Sequence, residues 1–260
     1  MSDNRPVALV TGASSGIGAT FARRLAARGY DLILVARRAE RLEALAHELP
    51  TQCRVVAADL ARDEDLARVE AVAAGEPRLE MLVNNAGFGT RGLFFETDLE
   101  EQDRMHRVHV IATMRLSRAA LNVMTAQRRG AVINVSSVAG FIQGTGNISY
   151  CATKAWMTSF TVGLAKELRS AGLPVRAQAL CPGYTYSEFH DVLKVSRDSI
   201  PKIFWMSSEF VVDESLRALE RGKVVVVPGW HYKVLVLFLD WLPQSLVRWI
   251  PGRVPARRKQ

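Results

Sequence analysis

Seven short runs rich in β-branched and aliphatic residues, PVALVT, DLILVA, CRVVAA, EMLVNN, AVINVSS, VRAQAL and KVVVVP, alternate along the chain with longer stretches of helical periodicity. This alternation constrains the fold more than any other feature. Strands that run in the same direction cannot be joined by a tight turn and need a crossover of about a dozen residues, usually a helix, so the pattern predicts a parallel sheet. Runs such as LILV and VVVV lack the polar and apolar alternation of a half-exposed strand, which predicts cover on both faces. The expected fold class is α/β, a doubly wound parallel sheet with helices on both faces. At 260 residues and 48% hydrophobic content the chain can bury one large core, and no repeat or low-complexity linker divides it.

Two regions interrupt the alternation. Residues 185–207, TYSEFHDVLKVSRDSIPKIFWMS, follow the sixth strand and are read as a loop overhanging a ligand at the carboxyl edge of the sheet. From His231 the run VLVLFL ends at Asp240 and Pro243, too short and too interrupted to span a bilayer. We therefore read residues 1–230 as one domain and 231–260 as an apolar, then basic, extension of it.

Bulk properties exclude several classes. Cys53, Cys151 and Cys181 show no paired spacing, and five histidines form no ligand motif, so neither a disulfide framework nor a metal is expected. Beside the YxxxK tyrosine, Cys151 is read as an inert buried thiol. The net charge of +8 is not gathered into one long basic run, which argues against a nucleic-acid site; Arg253, Arg257, Arg258 and Lys259 supply half of it. MSDNRPVALVTG lacks the charged-then-apolar pattern of a signal peptide, and a cytoplasmic location is expected.

The stretch TGASSGIG, residues 11–18, follows the first strand and opens a helix. Gly12 permits a tight turn, while Gly16 and Gly18 let backbone amides and the helix N-terminus approach a pyrophosphate. Ser14, Ser15 and Ile17 complete this candidate cofactor loop. Dinucleotide folds that prefer NAD place an acid after the second strand for the ribose 2′-hydroxyl, whereas an arginine accommodates a 2′-phosphate. Here the chain reads LVARR, so NADP(H) is favoured over NAD(H), with Arg37 the leading phosphate ligand and Arg38 beside it.

Tyr150 and Lys154 stand four residues apart in a helical stretch and share a face, so an ammonium can lie near a phenol. A neighbouring cation favours phenolate, which equips Tyr150 as a general acid toward a ketone or a general base toward an alcohol. His109, in HRVHVIATM, lies on an apolar stripe with Met105, Ala112 and Leu116, the usual setting of a core histidine.

TGASSGIG, NNAG at 84–87, SS at 136–137, YCATK at 150–154 and CPG at 181–183 occur in the order and spacing of the short-chain dehydrogenase/reductase family, which the chain resembles as far as Val227. The resemblance implies a Rossmann-like domain, often a homodimer or homotetramer, that transfers hydride between NAD(P) and a small-molecule carbonyl or alcohol. It implies that Ser137, thirteen residues before Tyr150, polarises the substrate oxygen, so that Ser137 and Tyr150 bind substrate and act with Lys154 in catalysis. Strand alternation should turn Ser136 the other way. It further implies that Asp59 and Leu60 border the adenine, Asn85, Ala86 and Gly87 pass the ribose, and Pro182, Gly183 and Thr185 hold the nicotinamide carboxamide. Ser187 stands where the family's PGxxxT motif usually has threonine. VHVIA departs from the family's VNVxG, placing His109 where an asparagine commonly holds a proton-relay water; a neutral imidazole, with one donor and one acceptor, is expected to take that catalytic role.

Phe88, Phe94, Phe189, Phe204 and Trp205 predict a bulky apolar ketone or aldehyde as substrate. Two other readings are an NADP(H)-binding sensor or scaffold without turnover, and a segment 231–250 lying on an anionic membrane, with a subunit contact or a flap over the substrate as its alternatives.

Overall fold

The computed structural model describes residues 5–142, 144–188 and 200–241. Phe189 and the basic residues beyond Trp241 lie outside them. Seven strands form one sheet: β1 (Val7–Thr11), β2 (Asp31–Ala36), β3 (Cys53–Ala57), β4 (Leu79–Asn84), β5 (Ala131–Val135), β6 (Arg176–Leu180) and β7 (Val225–Val226). Every pairing is parallel, in the order β3-β2-β1-β4-β5-β6-β7. The winding reverses between β1 and β4, which opens a crevice beyond their carboxyl ends, the usual ligand position in such sheets. The seventh strand has only two residues, because the chain leaves a turn at Gly222 and meets Pro228, which has no N–H to give a ladder.

Among the described residues, eight α-helices cover the sheet: α1 (Gly16–Ala27), α2 (Ala39–Glu48), α3 (Asp63–Ala74), α4 (Leu99–His106), α5 (Thr113–Gln127), α6 (Ile148–Ser170), α7 (Ser208–Glu220) and α8 (Trp230–Trp241). The two-residue period of a strand assigns side chains to the layers. Ala8, Val10, Leu32 and Leu34 meet Phe21 and Leu25 of α1, Leu42 of α2, and Val211 and Leu216 of α7. Their neighbours Val7, Leu9, Ile33 and Val35 meet Leu66 and Val69 of α3, Leu116 of α5 and Leu168 of α6. Both faces are thus dry, as the uninterrupted apolar strands require, and each fully buried Leu or Ile contributes about 1.5–3 kcal/mol. Tyr232 and Val236 of α8 enter the first of these layers, so the start of the extension shares the domain's core.

HRVHVIATM does not lie in one regular helix. Between α4 and α5 the chain makes a π-helical segment, Arg107–Ala112, with i→i+5 bonding. His109 nevertheless points inward with Met105, Ala112 and Leu116, all buried.

A polar chain crosses the core beneath the crevice. Asn84 Nδ2 donates to Asn134 Oδ1 (2.9 Å) and Ser117 Oγ (3.1 Å), and Asn134 Nδ2 donates to Thr161 Oγ1 (2.8 Å). It ties β4 and β5 to α5 and α6, and its members satisfy one another in a medium where an orphaned donor is costly. Asn134→Ala should therefore cost about 2–3 kcal/mol in urea unfolding; a loss near that of an exposed alanine substitution would contradict this account.

Candidate active site

The glycine turn joins β1 to α1 at the crevice. Thr11 Oγ1 accepts from the N–H groups of Asn85 (2.9 Å) and Ala86 (3.0 Å), and Asn85 Nδ2 donates to the carbonyls of Thr11 (3.0 Å) and Gly12 (3.2 Å). This clamp leaves no room at two glycines. A Cβ on Gly12 would lie 2.7 Å from Asn85 Nδ2, and one on Gly18 only 2.2 Å from the Gly12 carbonyl oxygen. Gly18 thus serves close packing of α1 against the turn, whereas Gly16, at φ +53°, sets the entry to the helix. Ser15, the N-cap, makes no side-chain cap bond, leaving the first-turn N–H groups of α1 a natural anion seat. These residues fit a dinucleotide pyrophosphate.

Arg37 is exposed at the end of β2, while Arg38 turns back onto the glycine loop and donates to Ser14 Oγ (3.1 Å). Arg38 also reaches Glu188 Oε2 (2.8 Å), and Arg41 bonds the other oxygen of the same carboxylate. These two arginines hold Glu188 down at about 2, well under the ordinary carboxylate range. Ser187 comes close enough to Gly16 that a Cβ there would sit 2.8 Å from its own Cβ. The first turn of the loop at 185–207 therefore lies over the glycine turn. The pairing of Glu188 with Arg38 and Arg41 is absent from the sequence reading, since about 150 residues separate the partners and no motif signals it.

Asp59 and the buried Leu60 follow β3 on the same side. Burial pushes the Asp59 carboxyl up, but bonds from the Ala61 N–H (3.1 Å) and Arg104 (2.8 Å) outweigh it and hold the group below its usual range. Across the crevice, the Pro182 carbonyl accepts from Val138 N–H (3.0 Å). Tyr232 lies so close over Gly183 that a Cβ there would touch its ring at 2.0 Å, and its hydroxyl accepts from Tyr184 N–H (3.0 Å) and donates to the Phe204 carbonyl (2.8 Å). Thr185 is buried, pairs with Met206 in a parallel bridge and donates to the Gly183 carbonyl (3.1 Å). Both ends of the 185–207 loop are thereby pinned together.

Ser137, Tyr150 and Lys154 converge between β5 and α6. Ser137 caps the 3₁₀ turn Val138–Phe141 by accepting from Ala139 N–H (3.1 Å) and donates to the Pro182 carbonyl (3.4 Å), and it acts on the Tyr150 phenol to lower its pKa. Ser136 points the opposite way, donating to the Lys154 carbonyl (2.7 Å), as strand alternation predicts. Lys154 donates to the Val135 carbonyl (2.8 Å), with its ammonium 5.7 Å from the centre of the Tyr150 ring. Burial raises the Tyr150 phenol well above its ordinary value, only partly offset by Ser137, and it brings Lys154 down to about 7. From the protein's own groups, then, Tyr150 is held as the acid. Burial also raises the Cys151 thiol, which matches the reading of an inert cysteine.

Phe88, His109 and Tyr150 form an aromatic row, with ring centres 6.3 and 5.8 Å apart. Tyr186 stacks on Trp205 at 5.0 Å, and Phe204 meets His231 and Tyr232. Phe94 stands exposed in a 3₁₀ turn.

Where a relay water was expected, protein groups meet both ring nitrogens of His109. Nε2 accepts from Phe88 N–H (3.2 Å). An N–H can only donate, so Nδ1 carries the proton and gives it to Thr153 Oγ1 (2.9 Å), which in turn donates to the Tyr150 carbonyl (2.9 Å). The histidine is a positioning residue joining the Gly87–Phe88 segment to the turn of α6 that carries Tyr150. A Cβ on Gly87 would lie 2.7 Å from Nε2, so the glycine is what admits the ring. Thr153 was within the quoted YCATK motif, but only the fold reveals its part. Burial, then the charges of Lys154 and His106, keep the His109 pKa well below 6.5. The folded ring therefore stays neutral where the unfolded one protonates, and stability falls as the pH drops below about 6.5. Urea midpoints at pH 7 and pH 5 should fall further for wild type than for His109→Asn; a parallel fall would show that the ring does not supply this linkage.

Known proteins match this geometry. The family model described as short chain dehydrogenase covers residues 6–197. A 3-oxoacyl-[acyl-carrier-protein] reductase from Bos taurus is 33% identical over 230 residues, 86% of this chain and 96% of its own. A short-chain dehydrogenase from Sphingobium yanoikuyae, solved in complex with NADPH, is 35% identical with a TM-score of 0.83, covering 98% of this chain and 100% of that one. The bulky-bulky ketone specific alcohol dehydrogenase from Comamonas testosteroni is 33% identical with a TM-score of 0.79, covering 97% and 98%. With its seven-stranded parallel sheet, glycine turn and Ser-Tyr-Lys cluster, this chain belongs to the short-chain dehydrogenase/reductase family and is a nicotinamide-dependent oxidoreductase of carbonyl and alcohol groups.

Proposed function

We propose that the chain interconverts a bulky apolar ketone or aldehyde and its alcohol with NADP(H). The observation that carries this reading is the convergence of Ser137 and Tyr150, whose pKa Ser137 lowers, with Lys154 Nζ 5.7 Å from the centre of the phenol ring. A carbonyl oxygen placed between the two hydroxyls would accept from both, and Ser137 would stabilise the charge that develops there. Tyr150, held as the acid, would pass its proton to that oxygen in reduction. NADP(H), when bound, supplies the hydride and, in its oxidised form, a ring cation that favours the phenolate needed for the reverse direction. Lys154 would bind the ribose and lower the phenol's pKa once turned toward them. Gly12, Ser14, Ser15, Gly16, Ile17 and Gly18 would hold the pyrophosphate, Asp59 and Leu60 the adenine, Asn85, Ala86 and Gly87 the ribose, and Pro182, Gly183 and Thr185 the carboxamide.

Phe88, separated from Tyr150 by the His109 ring, and the cluster of Tyr184, Tyr186 and Trp205 at the ends of the 185–207 loop support an apolar substrate. The bulky-ketone specificity of the Comamonas relative agrees with that choice. Tyr150→Phe should reduce NADPH oxidation with such ketones by about a thousandfold or more while leaving NADPH binding, followed by its fluorescence, within a few-fold. Turnover unchanged in the variant would refute the mechanism, and cofactor binding without turnover on any carbonyl would favour a sensor or scaffold.

Arg37 and Arg38 are the proposed 2′-phosphate ligands. Glu188 neutralises Arg38 and Arg41 in this structure, so a phosphate arriving there would have to replace a carboxylate on the same guanidinium. Glu188→Gln should therefore tighten NADPH several-fold and leave NADH nearly unchanged. Equal tightening of both, or NADH binding as tightly as NADPH in wild type, would refute the assignment.

A further inference from the structure

We propose that the exposed face of α8 docks on an anionic membrane surface. Trp230, Val234, Leu237, Phe238 and Trp241 recur at i, i+4, i+7, i+8 and i+11 and so form one helical stripe, each 57–86% exposed. The opposite face, Tyr232 and Val236, is buried in the core, so packing within the domain already orients the helix. Ile203 and Phe204, in the 3₁₀ turn that touches His231, carry further exposed apolar surface to the same end of the helix. Contiguous apolar surface of this kind is uncommon on a monomer without a partner.

Charge identifies the partner. Arg217, Arg221, Lys223 and Lys233 line a surface depression beside Leu237, against one carboxylate, Glu214, which pairs with Arg217 and Lys233. Beyond Trp241 the remaining nineteen residues carry Arg248, Arg253, Arg257, Arg258 and Lys259 and no acid. A two-fold contact with a second copy would bring Arg217, Arg221, Lys223 and Lys233 to a shared interface and set like charge against like. Anionic headgroups complement the cations, while tryptophans at both ends of the stripe suit the boundary between headgroups and acyl chains. No described helix is long and apolar enough to cross a membrane, so the contact is peripheral. Because Tyr232 of the same helix holds the Gly183–Tyr184 segment, and resting on the oxidoreductase reading above, docking would bring the substrate entrance close to the lipid.

The test is co-sedimentation of the full chain with phosphatidylcholine vesicles, with and without phosphatidylglycerol. Wild type should partition onto the phosphatidylglycerol vesicles, less so at high salt, and Leu237→Glu/Phe238→Glu should weaken this about tenfold or more with NADPH binding unchanged. Val234→Ser/Trp241→Ser, with smaller side chains and no added charge, should weaken it in the same direction. No partitioning by wild type, or equal partitioning by both variants, would overturn the proposal. So would wild type that ignores vesicles but sediments as a dimer which the variants dissociate, since the face would then belong to a second copy. None of these readouts depends on turnover, so failure here and failure of the catalytic reading are distinguishable.

Discussion

The parallel pairing of β1 with β4 is the constraint on which the site depends. At that junction the winding of the sheet reverses, and the helices that follow the two strands depart to opposite faces. The crevice that results is a property of topology and is held open by short polar contacts: Thr11 gathers the N–H groups of Asn85 and Ala86, and Asn85 returns two bonds to the glycine turn. Backbones approach here too closely for a Cβ, which is why Gly12 and Gly18 are required. One layer deeper, the network of Asn84, Asn134, Ser117 and Thr161 holds β4 and β5 to α5, which follows the His109 segment, and to α6, which carries Tyr150.

The chemistry then follows from burial. Desolvation alone drives Tyr150 and Lys154 toward their neutral forms, so the protein by itself presents a phenol and a readily deprotonated amine rather than a phenolate and an ammonium. Poising the pair for either direction depends on charge that arrives with the ligands. His109 belongs to the frame of this pair: its two nitrogens are spent joining Phe88 to Thr153, and through Thr153 to the backbone of Tyr150. The π-helical segment that carries it sits where a regular helix was expected, in keeping with the tendency of such segments to occur at functional sites.

Much of this was legible in the residues. Alternating strand and helix runs imply a parallel sheet because no tight turn can join parallel strands, and the dry strands LILV and VVVV imply two covered faces. The four-residue spacing of Tyr150 and Lys154 places them on one side of α6, and the two-residue period separates Ser136 from Ser137. Less legible was the role of His109, because an imidazole on an apolar stripe looks the same from the sequence whether it holds a water or two protein groups. The carboxylate of Glu188 was invisible, since ion pairs across 150 residues have no local signature.

Local chemistry is therefore written along the chain: periodicity, turn residues and i,i+4 neighbours follow from backbone geometry that every residue carries with it. Tertiary structure alone decided what meets across the crevice. It set Glu188 rather than solvent against Arg38 and Arg41, gave both nitrogens of His109 to protein partners, and turned one face of α8 outward beside a basic rim. Such contacts depend on distances between elements far apart in sequence, and those distances exist only once the sheet has closed its order.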